Sequence, residues 1–203
     1  MNNLVIVGAG GNGKVIADIA EKIGYSDIVF LDDNPLLEIC GNYKVVGKIN
    51  EASSYKDADF IVAVGNAKIR RKIQTELIEN GLRVVSLIHP SAVITSDVKI
   101  GLGTVVMAGA VINTCAEIGQ GCIINTCASV DHDCCVCDYA HISVGAHVAG
   151  TVTIGENTWI GAGATVINNL EIAPDCMIGA GAVVVADITE SGTYVGVPAK
   201  KIK

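Results

Sequence analysis

Hydrophobic positions follow two different patterns along this chain. Over residues 1–87, short apolar runs alternate with segments of helical period. Leu4-Val5-Ile6-Val7 reads as a buried strand. Lys14 to Ile23 carries apolar residues at Val15, Ile16, Ile19, Ala20 and Ile23, with Gly24 placed to end a helix. Ile28 to Leu31 and Phe60 to Val64 read as further strands, Lys68 to Asn80 as a second helix stopped by Gly81, and Val84 to Leu87 as a fourth strand. Such alternation predicts a small, open, largely parallel α/β sheet.

From Ile88 the period becomes six. The positions Ile88, Ile94, Ile100, Val106, Ile112, Ile118, Ile124, Val130, Val136, Ile142, Val148, Ile154, Ile160, Val166, Ile172, Ile178 and Val184 are all Ile or Val, without a slip in register. The row four residues later is small, running Ala110, Ala116, Cys122, Ala128, Cys134, Ala140, Ala146 and onward to Ala182. A fixed short period is the mark of a solenoid. Each hexapeptide makes one strand and one turn. The branched residue points inward and stacks on its equivalent in the next coil, and the second inward residue must be small because the interior narrows at a corner. The row directly after the markers often holds Gly or Asn (Gly101, Asn113, Gly119, Asn125, Gly155, Gly161, Gly179), which predicts a left-handed backbone there. Stacked coils need only their ends covered, and residues 189–203 are placed to supply a cap. The chain therefore divides into an α/β domain over 1–87 and a solenoid over 88–203.

Composition narrows the function classes. With half its residues apolar, 23 glycines and only 4 prolines, the chain is neither disordered nor collagen-like. A net charge of −7 without a basic run argues against nucleic-acid binding. No apolar stretch approaches the ~20 residues of a membrane span. Met1 to Leu4 lacks the basic region of a signal peptide. Eight cysteines without a secretory signal then point to a reducing cytoplasm.

Three sets of residues carry candidate chemistry. Gly8-Ala9-Gly10-Gly11-Asn12-Gly13 fits Gly-x-Gly-x-x-Gly between a strand and a helix, with Asp32 and Asp33 ending the next strand and Gly65-Asn66 past the third. Taken alone this is a Rossmann-like dinucleotide fingerprint, but about 87 residues make only half of a full dinucleotide-binding domain, so an NAD site is the weaker reading. His132 stands two positions after marker Val130, at a corner open to substrate, where a histidine suits general-base work. Its neighbour Asp133 is placed to orient it, with Asp131 as a second orienter. His141, nine residues on, lies half a coil away on another edge, so it meets His132 only across a subunit boundary. Gly150, 18 residues after His132, shares its edge, and its N–H is placed for an oxyanion. His147 reads as surface. Cys122, Cys134 and Cys176 fall in the small inward row and read as apolar filler, and with no paired Cys-x-x-Cys unit no metal is expected.

The solenoid resembles the hexapeptide-repeat acyltransferases, whose fold is a left-handed parallel β-helix with three hexapeptides per coil. The ending Gly196-Val197-Pro198-Ala199-Lys200 is similar to theirs. With its α/β domain the whole chain resembles the sialic-acid O-acetyltransferases and the UDP-N-acetylbacillosamine-type N-acetyltransferases. Asn125 to Asp133 and His141 to Ala146 are closest to the latter. The resemblance implies a homotrimer, acetyl-CoA as co-substrate and active sites between neighbouring β-helices. It implies a nucleotide-sugar diphosphate near Gly10, Gly11, Asn12 and Gly13, with Asp32 and Asp33 near sugar or nucleoside hydroxyls. It makes His132 the base, paired with Asp133 where the family has Glu, and makes His141 and Asn125 contacts to cofactor or substrate. Gly161, Gly163, Gly179 and Gly181 would let the pantetheine arm lie close to the coil. The expected function is acetyl transfer to the amine of a nucleotide-linked sugar, of the UDP-4-amino-dideoxy kind, for bacterial glycan synthesis. O-acetylation of a sialic-acid-type sugar and a non-catalytic scaffold stand as alternatives.

Overall fold

The computed structural model describes residues 3–203. Met1 and Asn2, which open the N-terminal reading, lie outside the described residues. The chain falls into two units, Met1–Pro90 and Ser91–Lys203.

In the first unit, β1 (Asn3–Val7), α1 (Gly11–Lys22), β2 (Asp27–Leu31), β3 (Ile39–Cys40), β4 (Tyr43–Gly47), a 3-10 helix (Ile49–Tyr55), β5 (Asp59–Val62), α2 (Ala67–Glu79) and β6 (Arg83–Val84) follow in order. The sheet order is β3-β4-β2-β1-β5-β6. β1 lies between parallel neighbours β2 and β5. The chain thus leaves β1 toward one side and later returns on the other, which opens a crevice at the carboxyl end of β1. α1 starts at Gly11, three residues before the predicted start, because the glycine loop itself turns into the helix. It buries Ile16, Ala17, Ile19 and Ala20 and ends at Gly24, whose φ of +99° suits glycine. Asn66 caps α2 by accepting the Ile69 N–H, as its side chain allows. The predicted fourth strand is shorter than its apolar run: only Arg83–Val84 pairs with β5, while Leu87–Ile88 forms a separate strand.

In the second unit short strands recur every six residues from Val93–Ile94 to Val183–Val184. Those up to Thr165–Val166 pair in parallel with the strand 18 residues on, as Val105 with Ile123 and Ser129 with His147. Three parallel sheets result, wrapped around one core of marker and small-row residues. Each fully buried Ile or Val in that stack contributes about 1.5–3 kcal/mol. Thr104 and Thr158 occupy the small row without penalty, because each hydroxyl donates to a carbonyl (Gly119 O at 2.7 Å, Ala173 O at 2.9 Å) and accepts a backbone N–H. A hairpin of Gly192–Val195 and Lys200–Lys201 closes the last coil.

The expectation for the Gly/Asn row needs correction. Left-handed φ falls three residues after each marker from Ile100 to Ile178, at Cys115, Cys127, Asp133, Thr151, Gly163 and Gly181 among others. Gly101, Gly155 and Gly161 have ordinary φ, and their missing side chain serves coil stacking instead. A Cβ at Gly161 would run into Ile178 O and stand 2.8 Å from Ala180 N, and one at Gly179 would come within 2.7 Å of the Val195 side chain. Gly161 and Gly179 are therefore small for the sake of the next coil, whereas Gly163 and Gly181 face open space.

Candidate active site

At the crevice of the α/β unit the glycine loop divides its labour. A Cβ on Gly13 would strike Gly8 O and approach the Phe30 ring to 2.8 Å, so Gly13 is required for helix–strand packing. Gly10 and Gly11 have nothing within 4 Å of such a Cβ, which leaves room for a ligand's backbone approach. The N-terminus of α1 has no side-chain cap, and first-turn N–H groups that lack intrahelical partners suit phosphate oxygens. Asp32 is already employed: its carboxylate accepts the Ala9 N–H at 2.7 Å and the Asn34 N–H at 2.9 Å. Asp33 accepts the Ile49 N–H at 3.1 Å. Both acidic residues thus shape the loops, which the sequence alone did not show. Asn12 donates to Ala63 O at 3.1 Å, tying the glycine loop to the end of β5. Gly65 lies beside it, and buried Arg70 donates to Val64 O at 2.8 Å and Gly65 O at 2.7 Å, fixing that loop from below.

On the β-helix, His132 stands exposed on a corner, between the strands Ser129–Val130 and Cys135–Val136. Its Nδ1 lies 2.8 Å from Asp133 Oδ2. Asp133 has φ +57°, a conformation that Asp tolerates better than most residues. The shorter carboxylate thus reaches the ring from its own corner. Asp131 does not orient the ring; it accepts the His132 backbone N–H at 2.8 Å and the Asn113 amide at 2.7 Å. The hydrogen bond to Asp133 is the main influence holding the His132 imidazole above its ordinary pKa.

Gly150 sits on the next coil directly against that ring. A Cβ there would lie 2.5 Å from His132 Nε2 and 2.6 Å from Cε1. Thr151 N donates to His132 O at 2.8 Å, which locks the two corners in register. Among the described residues no hydrogen bond engages the Gly150 N–H. A bare N–H beside a histidine with a free Nε2 is a donor next to a base.

His141 is built differently. Asn125 Oδ1 accepts the Thr126 N–H at 2.8 Å, which turns the amide nitrogen toward His141 Nε2 at 3.1 Å. An amide nitrogen only donates, so Nε2 accepts and the ring proton sits on Nδ1. His132 has its proton toward Asp133 and a free Nε2, while His141 has its Nε2 lone pair occupied. Only the first is arranged as a base. His141 also stacks on Trp159, with ring centroids 5.2 Å apart and planes at 14°, and Trp159 Nε1 donates to Ser143 Oγ. Sequence reasoning missed Trp159 and Ser143. The available signal was register, since Trp159 is 18 residues after His141 and pairs with it across the sheet. His147 is exposed, with Ser129 Oγ 2.8 Å from its Nδ1.

The cysteines of the inner row are unreactive by position. Cys122, Cys134 and Cys176 are buried, and burial raises the pKa of the Cys134 and Cys176 thiols. Burial, with Cys135 beside it, pushes Cys137 up to about 11. Thiols held protonated at neutral pH are poor nucleophiles.

Changing Asp133 to Asn should leave the fold intact, because Asn also accepts positive φ. It should lower kcat on the order of 10²-fold, because Asn can donate to Nδ1 and favour the wrong tautomer. A steady-state comparison with an unchanged melting curve checks this.

Residues 3–77 match the family model described as the PglD N-terminal domain, and 151–186 match bacterial transferase hexapeptide repeats. The chain is 30% identical over 169 residues to a GDP-perosamine N-acetyltransferase of Escherichia coli O157:H7, covering 79% of this chain and 76% of that one. It is similar to the acetyltransferase domain of PglB from Neisseria gonorrhoeae FA1090 in complex with acetyl coenzyme A, at 41% identity and TM-score 0.95 over 100% of both chains. It is also similar to PerB from Caulobacter crescentus in complex with CoA and GDP-perosamine, at 35% identity and TM-score 0.95, over 100% of this chain and 98% of that one.

Proposed function

Because this chain belongs to the hexapeptide-repeat nucleotide-sugar N-acetyltransferases, we propose that His132 is the general base that deprotonates a sugar amine held by a nucleoside diphosphate. The observation that carries this is the juxtaposition on one edge of a base-ready imidazole, its carboxylate orienter and the Gly150 N–H. Acetyl-CoA supplies the acetyl group as an activated thioester. His132 Nε2 takes a proton from the sugar amine as the nitrogen bonds to the acetyl carbonyl carbon. The Gly150 N–H meets the negative charge that grows on the carbonyl oxygen. As the carbon–sulfur bond breaks, His132 returns the proton to the departing sulfur. Asp133 stabilises the imidazolium between those two moments. The net change is amine plus thioester to amide plus thiol.

In this reading the α/β unit holds the nucleoside diphosphate, with the phosphates over Gly10 and Gly11 and the open N-terminus of α1. The sugar is a UDP- or GDP-linked amino sugar, and the amine is acylated in a reducing, acetyl-CoA-containing cytoplasm. Among the described residues no helix is long and apolar enough to cross a membrane. A homotrimer supplies the second wall of each acetyl-CoA site, following the family architecture. Asn125 and His141 contact the acetyl-CoA side, and the open corners at Gly163 and Gly181 leave space for its arm.

The direct test is thiol release from acetyl-CoA with a panel of UDP- and GDP-amino sugars, alongside free and CMP-linked sialic acids. Release with a nucleotide-linked amino sugar alone supports the reading. Release only with sialic acids would replace it with O-acetylation, and no release with any sugar would leave a scaffold.

Two glycine substitutions separate binding from folding at the crevice. Gly11→Ala should fold normally and raise KM for the nucleotide sugar about tenfold, the scale of one or two lost phosphate hydrogen bonds. Gly13→Ala should lower the melting temperature instead, since its Cβ meets Gly8 O and Phe30. Thermal melts paired with substrate KM values distinguish them.

A further inference from the structure

His141 lies in a small assembly whose other members, Trp159 and Ser143, have no part in the reaction above. Its ring is fixed from two directions. Asn125 donates to Nε2, with the amide itself oriented by Thr126 N. Trp159 covers one face in a near-parallel stack. Trp159 is in turn tied by Nε1 to the buried Ser143 hydroxyl, two residues along the chain from His141. The indole remains 40% exposed. A large aromatic left half open on a strand costs apolar exposure, yet here its polar end is satisfied and its face is committed to one imidazole. Such an arrangement holds a ring in one plane and one tautomer.

We propose that Trp159 is a positioning residue for acetyl-CoA binding, acting by holding the His141 imidazole in one plane and one tautomer. This rests on the reading of His141 as an acetyl-CoA contact. The indole adds no proton transfer. It removes the rotational freedom that His141 would otherwise lose only when the co-substrate arrives, which is the ordinary gain of preorganisation.

The chain contains a single tryptophan, so its fluorescence reports on this stack alone. The test titrates the intact protein with CoA and follows Trp159 emission, with calorimetry in parallel. Steady-state constants and CoA binding are measured for the wild type, Trp159→Ala, Trp159→Phe, His141→Ala and the double variant His141→Ala/Trp159→Ala. Saturable change in emission is expected, with the same midpoint as the calorimetric binding. Trp159→Ala should raise KM for acetyl-CoA and weaken CoA binding about three- to tenfold, the scale of one aromatic stack. KM for the nucleotide sugar should change less than about twofold, within the scatter of surface changes. Trp159→Phe should recover most of the loss, since a phenyl ring also stacks. Far-UV circular dichroism confirms that the variants fold. An unchanged CoA affinity in folded Trp159→Ala would overturn the proposal, as would an equal rise in both KM values. If His141→Ala binds CoA normally, the reading of His141 fails first and the positioning role falls with it. If Trp159→Ala weakens CoA binding equally whether or not His141 is present, the indole contacts CoA itself and positioning is overturned.

Discussion

His132→Ala is expected to lower kcat by on the order of 10² to 10⁴-fold, the usual worth of a positioned general base. KM for acetyl-CoA and for the nucleotide sugar should stay close to wild type, because the ring stands on an exposed corner and no interior packing is lost. The pH profile carries the sharper signature. A base must be neutral to act, so kcat/KM rises as pH climbs through the pKa of His132. Asp133 raises that pKa above the ordinary 6.5. The acid limb of the wild type should therefore lie above that value, move to lower pH in Asp133→Asn, and vanish in His132→Ala. Retention of the limb in His132→Ala would assign the base elsewhere. His141→Ala is the control, since its occupied Nε2 predicts an intact limb.

Gly150→Ala is the second substitution with a large effect. It keeps the N–H, so a role limited to backbone donation predicts little change. The structure predicts otherwise: the added methyl would stand 2.5 Å from His132 Nε2. The imidazole must swing away, and a displacement near 1 Å at a reacting group costs on the order of 10²-fold. Stability should barely move, because an exposed ring has somewhere to go. A crystal structure of the variant, with kcat measured beside it, checks both halves. Wild-type turnover with a displaced ring would break the link between ring position and catalysis.

How much of this was legible beforehand depends on which physical rule was at work. The six-residue march of Ile and Val is dictated by a core that every coil must fill in the same way, and the folded β-helix keeps it without a break from Ile94 to Val184. The fold's register followed directly, including the shared edge of His132 and Gly150. The reason for the glycine row did not follow, because sequence cannot distinguish a glycine needed for left-handed φ from one needed for backbone clearance. Cys115, Asp133 and Thr151 carry the positive φ and announce nothing. The β3–β4 hairpin and the 3-10 helix also escaped notice, since Ile39 to Tyr55 has neither period and takes its form from the neighbouring sheet. At the site, His132 and Asp133 were readable as neighbours in sequence. Trp159 stands in the same one-coil register to His141 as Gly150 does to His132, but register places two residues side by side without showing that their rings stack.

The hairpin at the end of the β-helix has a meaning apart from stability. Coils inside the stack have backbone partners on both sides, while the end strand Cys176–Ile178 would offer a bare row of N–H and C=O groups. Such a row templates growth by any other strand of matching spacing. Gly192–Val195 covers that row in parallel, and the antiparallel return runs through Lys200 and Lys201, the latter paired with Glu190 at 2.8 Å. A reversed strand direction edged with charged side chains makes a poor seat for another chain's parallel coil. The terminal turn therefore acts against fibre formation, keeping a molecule made of endlessly repeatable units finite.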